Sequence, residues 1–328
     1  MKYPTPARFK TQPELAAALA AIDPDVQPDA EPPGPDGPFA QPFECDGLRV
    51  ENRFAIHPME GWDGTPDGSP SDLTLRRWRR FGLSGAGLVW GGEAFAVTPE
   101  ARANPNQLAL IRPATSARDL ERLVAALHAG RRASGLAPDT LVTGLQLTHS
   151  GRFSRPSGQP APRIAHHHPQ LDARLGLDDA SPLLTDAELE GLIAPYVEAA
   201  RLAQQAGFHF VDIKACHGYL LHELLAARTR PGAYGGEALD ARAKLLLDII
   251  DAVRSACPGL RVGVRLSAHD IPVHGPGPDG VGVPLEGPEP FAQDLAESEA
   301  LIQLLAGHGV HWINLTLGSP YSLSLIHI

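Results

Sequence analysis

The feature that most restricts this chain is an alternation. Six apolar runs, at 52–59, 86–95, 140–152, 208–217, 260–270 and 310–318, are separated by stretches of helical periodicity at 72–85, 116–135, 185–207, 240–257 and 289–309. The runs do not alternate polar with apolar residues, so each predicts a strand buried on both faces. Strands of that kind with helices between them predict a parallel sheet covered by helices. Ser116 is the expected N-cap of the second helix, Thr185 and Glu188 form a capping box on the third, and Gly85 and Gly207 are stops. Ahead of the first run, "FECDGLRVE" (43–51) predicts a hairpin turning at Asp46-Gly47.

Two architectures accept this pattern, a doubly wound open sheet and a (β/α)8 TIM barrel. The open sheet should carry Gly-x-Gly-x-x-Gly after an early strand, but "SGAGL" (84–88) precedes its strand. Polar residues instead follow several different strands: Glu60, Glu93, Gln146 with His149, Lys214 with His217, and Arg265. Ligand groups at the C-terminal ends of many strands are the barrel habit. The expected fold is therefore an α/β barrel, incomplete here at about six of eight β/α units, with an N-terminal hairpin cap. The final "LSLIHI" matches a translated sequencing adapter, so residues 322–328 are read as a non-native tail and the remaining units are expected beyond residue 321. Residues 1–42 form a Pro-rich leader with a short helix, and 43–321 the barrel domain.

A formal charge of −10 argues against a nucleic-acid partner, which needs a basic face. No run of about 18 apolar residues is present, so no membrane span is expected. Three cysteines, Cys45, Cys216 and Cys257, show no C-x-x-C spacing and no even pairing, which fits reduced thiols in the cytoplasm. Homo-oligomerisation is left open. The 33 glycines and 32 prolines gather in loops at 24–38, 64–70, 154–162 and 272–290, and long loops on a compact domain are more often functional than idle.

Six motifs in order, "NRFAIHPM", "GEAFAV", "LQLTHSGR", "DIKACHGYLLHELL", "TRPGAYGG" and "VGVRLSAHD", resemble the Old Yellow Enzyme family of FMN-dependent ene-reductases over about residues 43–321. The resemblance implies a (β/α)8 barrel with FMN across its top. It also implies hydride transfer from NAD(P)H to FMN, and then to the β-carbon of an activated alkene on a small-molecule substrate. It places Pro58, Met59 and Glu60 along the flavin ring, and Ala94 as the small residue that lets the ring approach. Gln146 falls at the pyrimidine edge, Arg265 beside the N1/O2 edge, and Tyr219 as proton donor to the substrate α-carbon. The chain departs from the family in three places. Lys214 and His217 stand where His-x-x-Asn or His-x-x-His is usual, Glu60 stands where Thr or Cys is usual, and "EALDAR" keeps only Arg242 of a longer motif. The family's phosphate grip falls beyond residue 328.

Within that frame Lys214 and His217 are a donor pair for a carbonyl or nitro oxygen; outside it they are a salt-bridged lysine and a core histidine. Glu60 is expected to pair with Lys214. Tyr219 is an acid or a packing aromatic, Cys216 is inert packing, and His149 touches substrate or holds structure while Arg152 anchors the loop. "RIAHHHP" (163–169) reads as a solvated loop over the site, because no carboxylate or Cys lies at ligand spacing; no metal is expected. The alternative function is a cofactor-free barrel lyase with Lys214 forming a Schiff base, and a further one is a truncated, non-functional fragment.

Overall fold

Each apolar run becomes a strand, shortened wherever Gly or Pro stops it, except that the run at 86–95 becomes two short strands parted by Gly91 and Gly92. The computed structural model describes residues 8–29, 31, 34–269, 283–284 and 293–317. The leader carries α1 (Gln12–Ala20), and the hairpin is β1 (Phe43–Cys45) with β2 (Leu48–Val50). Then follow β3 (Ala55–Ile56), α2 (Asp72–Leu83), β4 (Leu88–Val89), β5 (Ala94–Ala96), α3 (Pro113–Ala133) and β6 (Val142–Thr148). After these come α4 (Pro169–Leu175), α5 (Asp186–Gly191), α6 (Ile193–Ala206), β7 (Phe210–Ala215) and α7 (Leu220–Leu225). The described chain closes with α8 (Leu239–Ala256), β8 (Arg261–His269), the two-residue pair β9 (Val283–Pro284) and β10 (Gln293–Asp294), α9 (Ala296–Gly307) and β11 (Trp312–Leu317).

The main sheet runs β11-β8-β7-β6-β4-β3, with β5 joining β6 beyond the end of β4. Every pairing in it is parallel. The sheet curls as six units of a (β/α)8 barrel. Its first and last members are bridged by side chains, since Asn314 Nδ2 on β11 lies 3.0 Å from His57 Nδ1 just after β3.

Two cores sit on the two faces. Outside, the sheet packs on α2, α3, α6, α8 and α9 through residues such as Trp78, Leu127, Tyr196, Ile250 and Leu301. Inside, the N-terminal end is floored by Trp90, Phe210 and Trp312. Phe210 stacks on Trp312 at 5.5 Å and meets the Trp90 edge at 5.2 Å. These large rings fit because their neighbours in the sheet are small. A Cβ on Gly144, paired with Phe210, would lie 2.3 Å from that ring, and Gly263 is paired with Trp312. The hairpin closes the floor from below with Phe43, Cys45 and Leu48, its turn made by Asp46 (φ 51°) and Gly47 (φ 72°) as expected of an Asp-Gly pair.

Three sequence expectations change in detail. Ser116 is not the N-cap of α3: the helix begins at Pro113, whose fixed φ suits the first helical position, and Ser116 lies inside it. The helix expected over 185–207 is two helices, α5 and α6, parted at Leu192, although the Thr185–Glu188 capping box is present. The short α4 and the helix α7 add to the pattern. The 322–328 tail and most of the 272–290 loop lie outside the described residues.

Candidate active site

The interior can be climbed in layers, because period two turns every second strand residue inward. Above the aromatic floor, Gln146 on β6 and Asp212 on β7 are register partners, and Gln146 Nε2 donates to Asp212 Oδ2 at 2.6 Å. Asp212 Oδ1 is buried with no partner. Burial pushes this carboxyl up to about 6, while the Gln146 bond and the Arg265 charge only partly offset it. Ala94 on β5 is buried and paired in register with Gln146.

One step higher, Lys214, Arg265 and Asn314 are register partners across β7, β8 and β11. Arg265 donates from Nη1 to the Pro58 carbonyl at 3.1 Å, and its buried Nε has no partner. Among the described residues it forms no ion pair. Lys214, 5 % exposed, does: its Nζ lies 3.0 Å from Glu60 Oε1. The pair expected between these two residues is present. The same ammonium sits 3.4 Å from the centroid of the Tyr219 ring, a close cation–π contact.

The mouth is closed by one carboxylate. Glu60 Oε2 accepts from the Tyr219 hydroxyl at 2.8 Å and from Trp62 Nε1 at 3.1 Å. Tyr219 is 2 % exposed and packs against Phe153 from the loop after β6. His217 shares the rim, with Nε2 3.3 Å from Thr316 Oγ1 on β11. A strict strand would point residues 214 and 217 to opposite faces. The strand ends at Ala215, however, and His217 takes φ 63°, a left-handed turn that brings its ring to the rim. Burial pushes this imidazole down to about 2, helped by the charges of Lys214, Arg265 and His222, so it stands neutral with an N–H to give. The ammonium's described hydrogen bond goes to Glu60 alone, so Lys214 and His217 share a rim without converging on one point.

The rim segment is pinned along its backbone. Arg265 holds the Pro58 carbonyl, and Gly61 N donates to Glu93 Oε1 at 3.1 Å. Glu93 is fully buried and ion-paired to Arg77, which also binds Asp63 at 2.8 Å. Burial nevertheless pushes Glu93 up to about 7. Its place among the strand-end polar groups was legible, but its partnership with α2 was not. Met59, by contrast, is 72 % exposed.

The remaining candidates make their described contacts within the chain. His149 is buried, accepts from Gly151 N at 3.0 Å and is pushed by burial down to about 3. Arg152 is buried between Asp172 and Glu223, tying the loop after β6 to α7. His167 bonds Asp172 at 3.0 Å and His168 caps α4. No group that could hold a metal occurs among the described residues. Cys216 is buried. Asp212, Asn314 and Thr316 were missed, although each is an inward polar residue in an apolar strand, which is a readable signal.

The profile of the NADH:flavin oxidoreductase / NADH oxidase family matches residues 39–283. The chain belongs to that family. It is 30 % identical over 253 residues to an NADPH dehydrogenase of Geobacillus thermodenitrificans, covering 74 % of this chain and 65 % of that one. It is 32 % identical over 271 residues to an NADPH dehydrogenase of Listeria monocytogenes serotype 4a, covering 81 % and 72 %. Its fold matches Old Yellow Enzyme from Pichia sp. AKU4542 with a TM-score of 0.66 at 22 % identity, over 86 % of this chain and 72 % of that one. The chain thus spans about two thirds of the length of the curated relatives it matches. Membership brings FMN as the redox group and NADH or NADPH as its reductant. The site's residues fit that group: Arg265 is a cation whose buried Nε has no hydrogen-bond partner among the described residues, beside a buried amide and a small residue, as an electron-rich ring edge requires. Among the described residues, no helix is long and apolar enough to cross a membrane.

Proposed function

We propose that this protein transfers hydride from NADPH or NADH, through FMN, to the β-carbon of an activated alkene, and that it does so in the cytoplasm, in keeping with its three free cysteines. FMN, when bound, accepts the hydride and passes it on; this chain's side chains do the rest. Gln146 and Arg265 would hold the polar edge of the ring, where the Arg265 charge would favour the reduced form. Ala94 and Pro58 leave a flat, uncharged approach, with Met59 and Glu60 at its border. His217, neutral at every working pH, donates to the substrate's activating oxygen and draws electrons from the alkene. Lys214 is the second donor once it is released from Glu60, and Tyr219 gives the proton to the α-carbon.

The observation that carries this reading is Arg265, a cation in the barrel mouth that forms no ion pair among the described residues, with a buried donor left over and its charge felt by the buried Asp212 carboxyl. A protein keeps such a group where a ligand completes it. The test is titration of the chain with FMN, followed by quenching of flavin emission. The expected result is saturable binding that Arg265→Leu weakens at least tenfold; binding that is equal in both proteins, or absent in both, overturns it. The Schiff-base lyase is the weaker reading, because attack on a carbonyl needs a free amine and Lys214 is ion-paired to Glu60.

A further inference from the structure

We infer that Glu60 is a tethered anion occupying the substrate's oxygen site, and that it selects alkenes activated by a carboxylate. This rests on the reading above and names its substrate class.

One carboxylate gathers three donors at this point: Lys214 Nζ on Oε1, and the Tyr219 hydroxyl and Trp62 Nε1 on Oε2. Two of these three donors are the groups that the reaction needs for oxygen binding and for protonation. While Glu60 is in place, the Tyr219 proton is aimed at a carboxylate and not into the mouth. A substrate must therefore exchange with Glu60.

The backbone around Glu60 does not have to move for that exchange. Pro58 is held by Arg265, Gly61 by Glu93, and Asp63 by Arg77 and Thr74. A Cβ on Gly61 would lie 2.1 Å from the Arg77 guanidinium, so the segment sits tight on α2. The side chain is itself 10 % exposed, and its neighbours Met59 and Trp62 are 72 % and 43 % exposed. The exchange therefore calls for a rotation about the Glu60 side-chain bonds, toward the exposed side where Met59 and Trp62 lie.

Charge decides what can replace it. A neutral carbonyl arriving at Lys214 leaves a buried ammonium without its counter-ion, which is the costly way to break an ion pair. A carboxylate replaces charge with charge and offers the same two oxygens to Lys214 and Tyr219. The site therefore discriminates by charge at the activating group, and Glu60 is the specificity-determining residue.

The test is titration of the full chain with cinnamate and with its methyl ester, which share a skeleton and differ in charge. The readout is Trp62 emission, with Trp62→Phe used to subtract the other tryptophans. Cinnamate is expected to bind at least tenfold tighter than the ester and to change Trp62 emission as Glu60 leaves the indole. Glu60→Gln is expected to raise cinnamate affinity at least tenfold, since no resident carboxylate then competes for Lys214 and Tyr219, and Lys214→Met to erase the preference for acid over ester. Cinnamate affinity unchanged or lower in a folded Glu60→Gln protein overturns the inference. Should that variant fold poorly, Glu60→Asp, too short to serve both Lys214 and Tyr219, must show the same sign. None of these titrations needs flavin. A chain that exchanges Glu60 for cinnamate yet leaves FMN emission unquenched keeps this inference and loses the ene-reductase; FMN quenching without exchange does the reverse.

Discussion

The floor and the mouth of this barrel are built from the same strands, two to four residues apart along β7, β8 and β11, and they solve opposite problems. At the floor, Trp90, Phe210 and Trp312 fill the interior against glycines at 144 and 263, and the hairpin seals them from below. Apolar packing fills this end, although the Trp90 and Trp312 indole N–H groups are buried without a hydrogen-bond partner among the described residues. At the mouth, Arg265 has a buried donor unmatched, and Lys214 is neutralised only by a side chain that reaches in from the rim. Packing holds the first region, and the second is poised for something else to complete it. Stability and function are thus separated along the barrel axis, as the barrel architecture permits.

The sharpest way to break this contrast is to mutate one residue at each end. Phe210→Ala should destabilise the fold by about 3–5 kcal/mol, since it opens a cavity beneath two tryptophans that cannot collapse onto it. Arg265→Leu should stay within about 1 kcal/mol of the parent in stability, because it removes a cation that forms no ion pair among the described residues. Urea unfolding midpoints check both. If the arginine change costs as much as the phenylalanine change, the mouth is a structural core and the contrast fails.

Asp212 marks the border between the two regions, and its titration sharpens it. Burial holds its carboxyl at about 6, above the ordinary aspartate range near 4. The folded state therefore binds a proton that the unfolded state has lost between those values. The sign follows: the stabilising contribution is full below about pH 4, declines as pH rises, and is gone above about pH 6. Two units correspond to roughly 3 kcal/mol. His217 acts with the opposite sign over part of the same range. Its imidazole is pushed down to about 2, so its contribution is present above about pH 6.5 and lost as pH falls. The measurement must for that reason be a difference: unfolding free energy of the parent minus Asp212→Asn, from pH 4 to 7. A difference that falls by roughly 3 kcal/mol is expected; a flat difference means that Asp212 is not held neutral.

The floor was more legible in the sequence than the mouth, and for a physical reason. Burial on both faces imposes apolar runs, so the six strands and the hairpin turn at Asp46-Gly47 could be read from residue pattern alone. Helix ends were less secure: Ser116 has the chemistry of an N-cap, but Pro113 fits the first turn better and took it. At the mouth, sequence supplied the residues and their family likeness, and the likeness alone placed Lys214 beside His217. Alternation argues against that neighbourhood, and only the left-handed φ at His217 permits it. The Glu60–Lys214 pair followed from charge. The Tyr219 and Trp62 bonds to the same carboxylate did not, because they depend on where a rim loop crosses a strand end far away in sequence.

The smallest expected effect tests whether the hairpin belongs to the floor. Gly47 sits at φ 72°, where an alanine is strained, so Gly47→Ala should cost about 1 kcal/mol. How that cost is distributed is more informative than its size. The hairpin is joined to the barrel by Phe43, Cys45 and Leu48 packing on the aromatic cluster and by Arg261 Nε donating to the Asp46 carbonyl at 2.9 Å. If those contacts make it part of one cooperative unit, amide exchange should speed up equally in the hairpin and at Phe210. If the hairpin opens by itself, exchange should rise only at the amides of residues 43–50 while the unfolding midpoint stays put. That second outcome would move the border inward, leaving the three aromatic rings and their glycine partners as the whole of the floor.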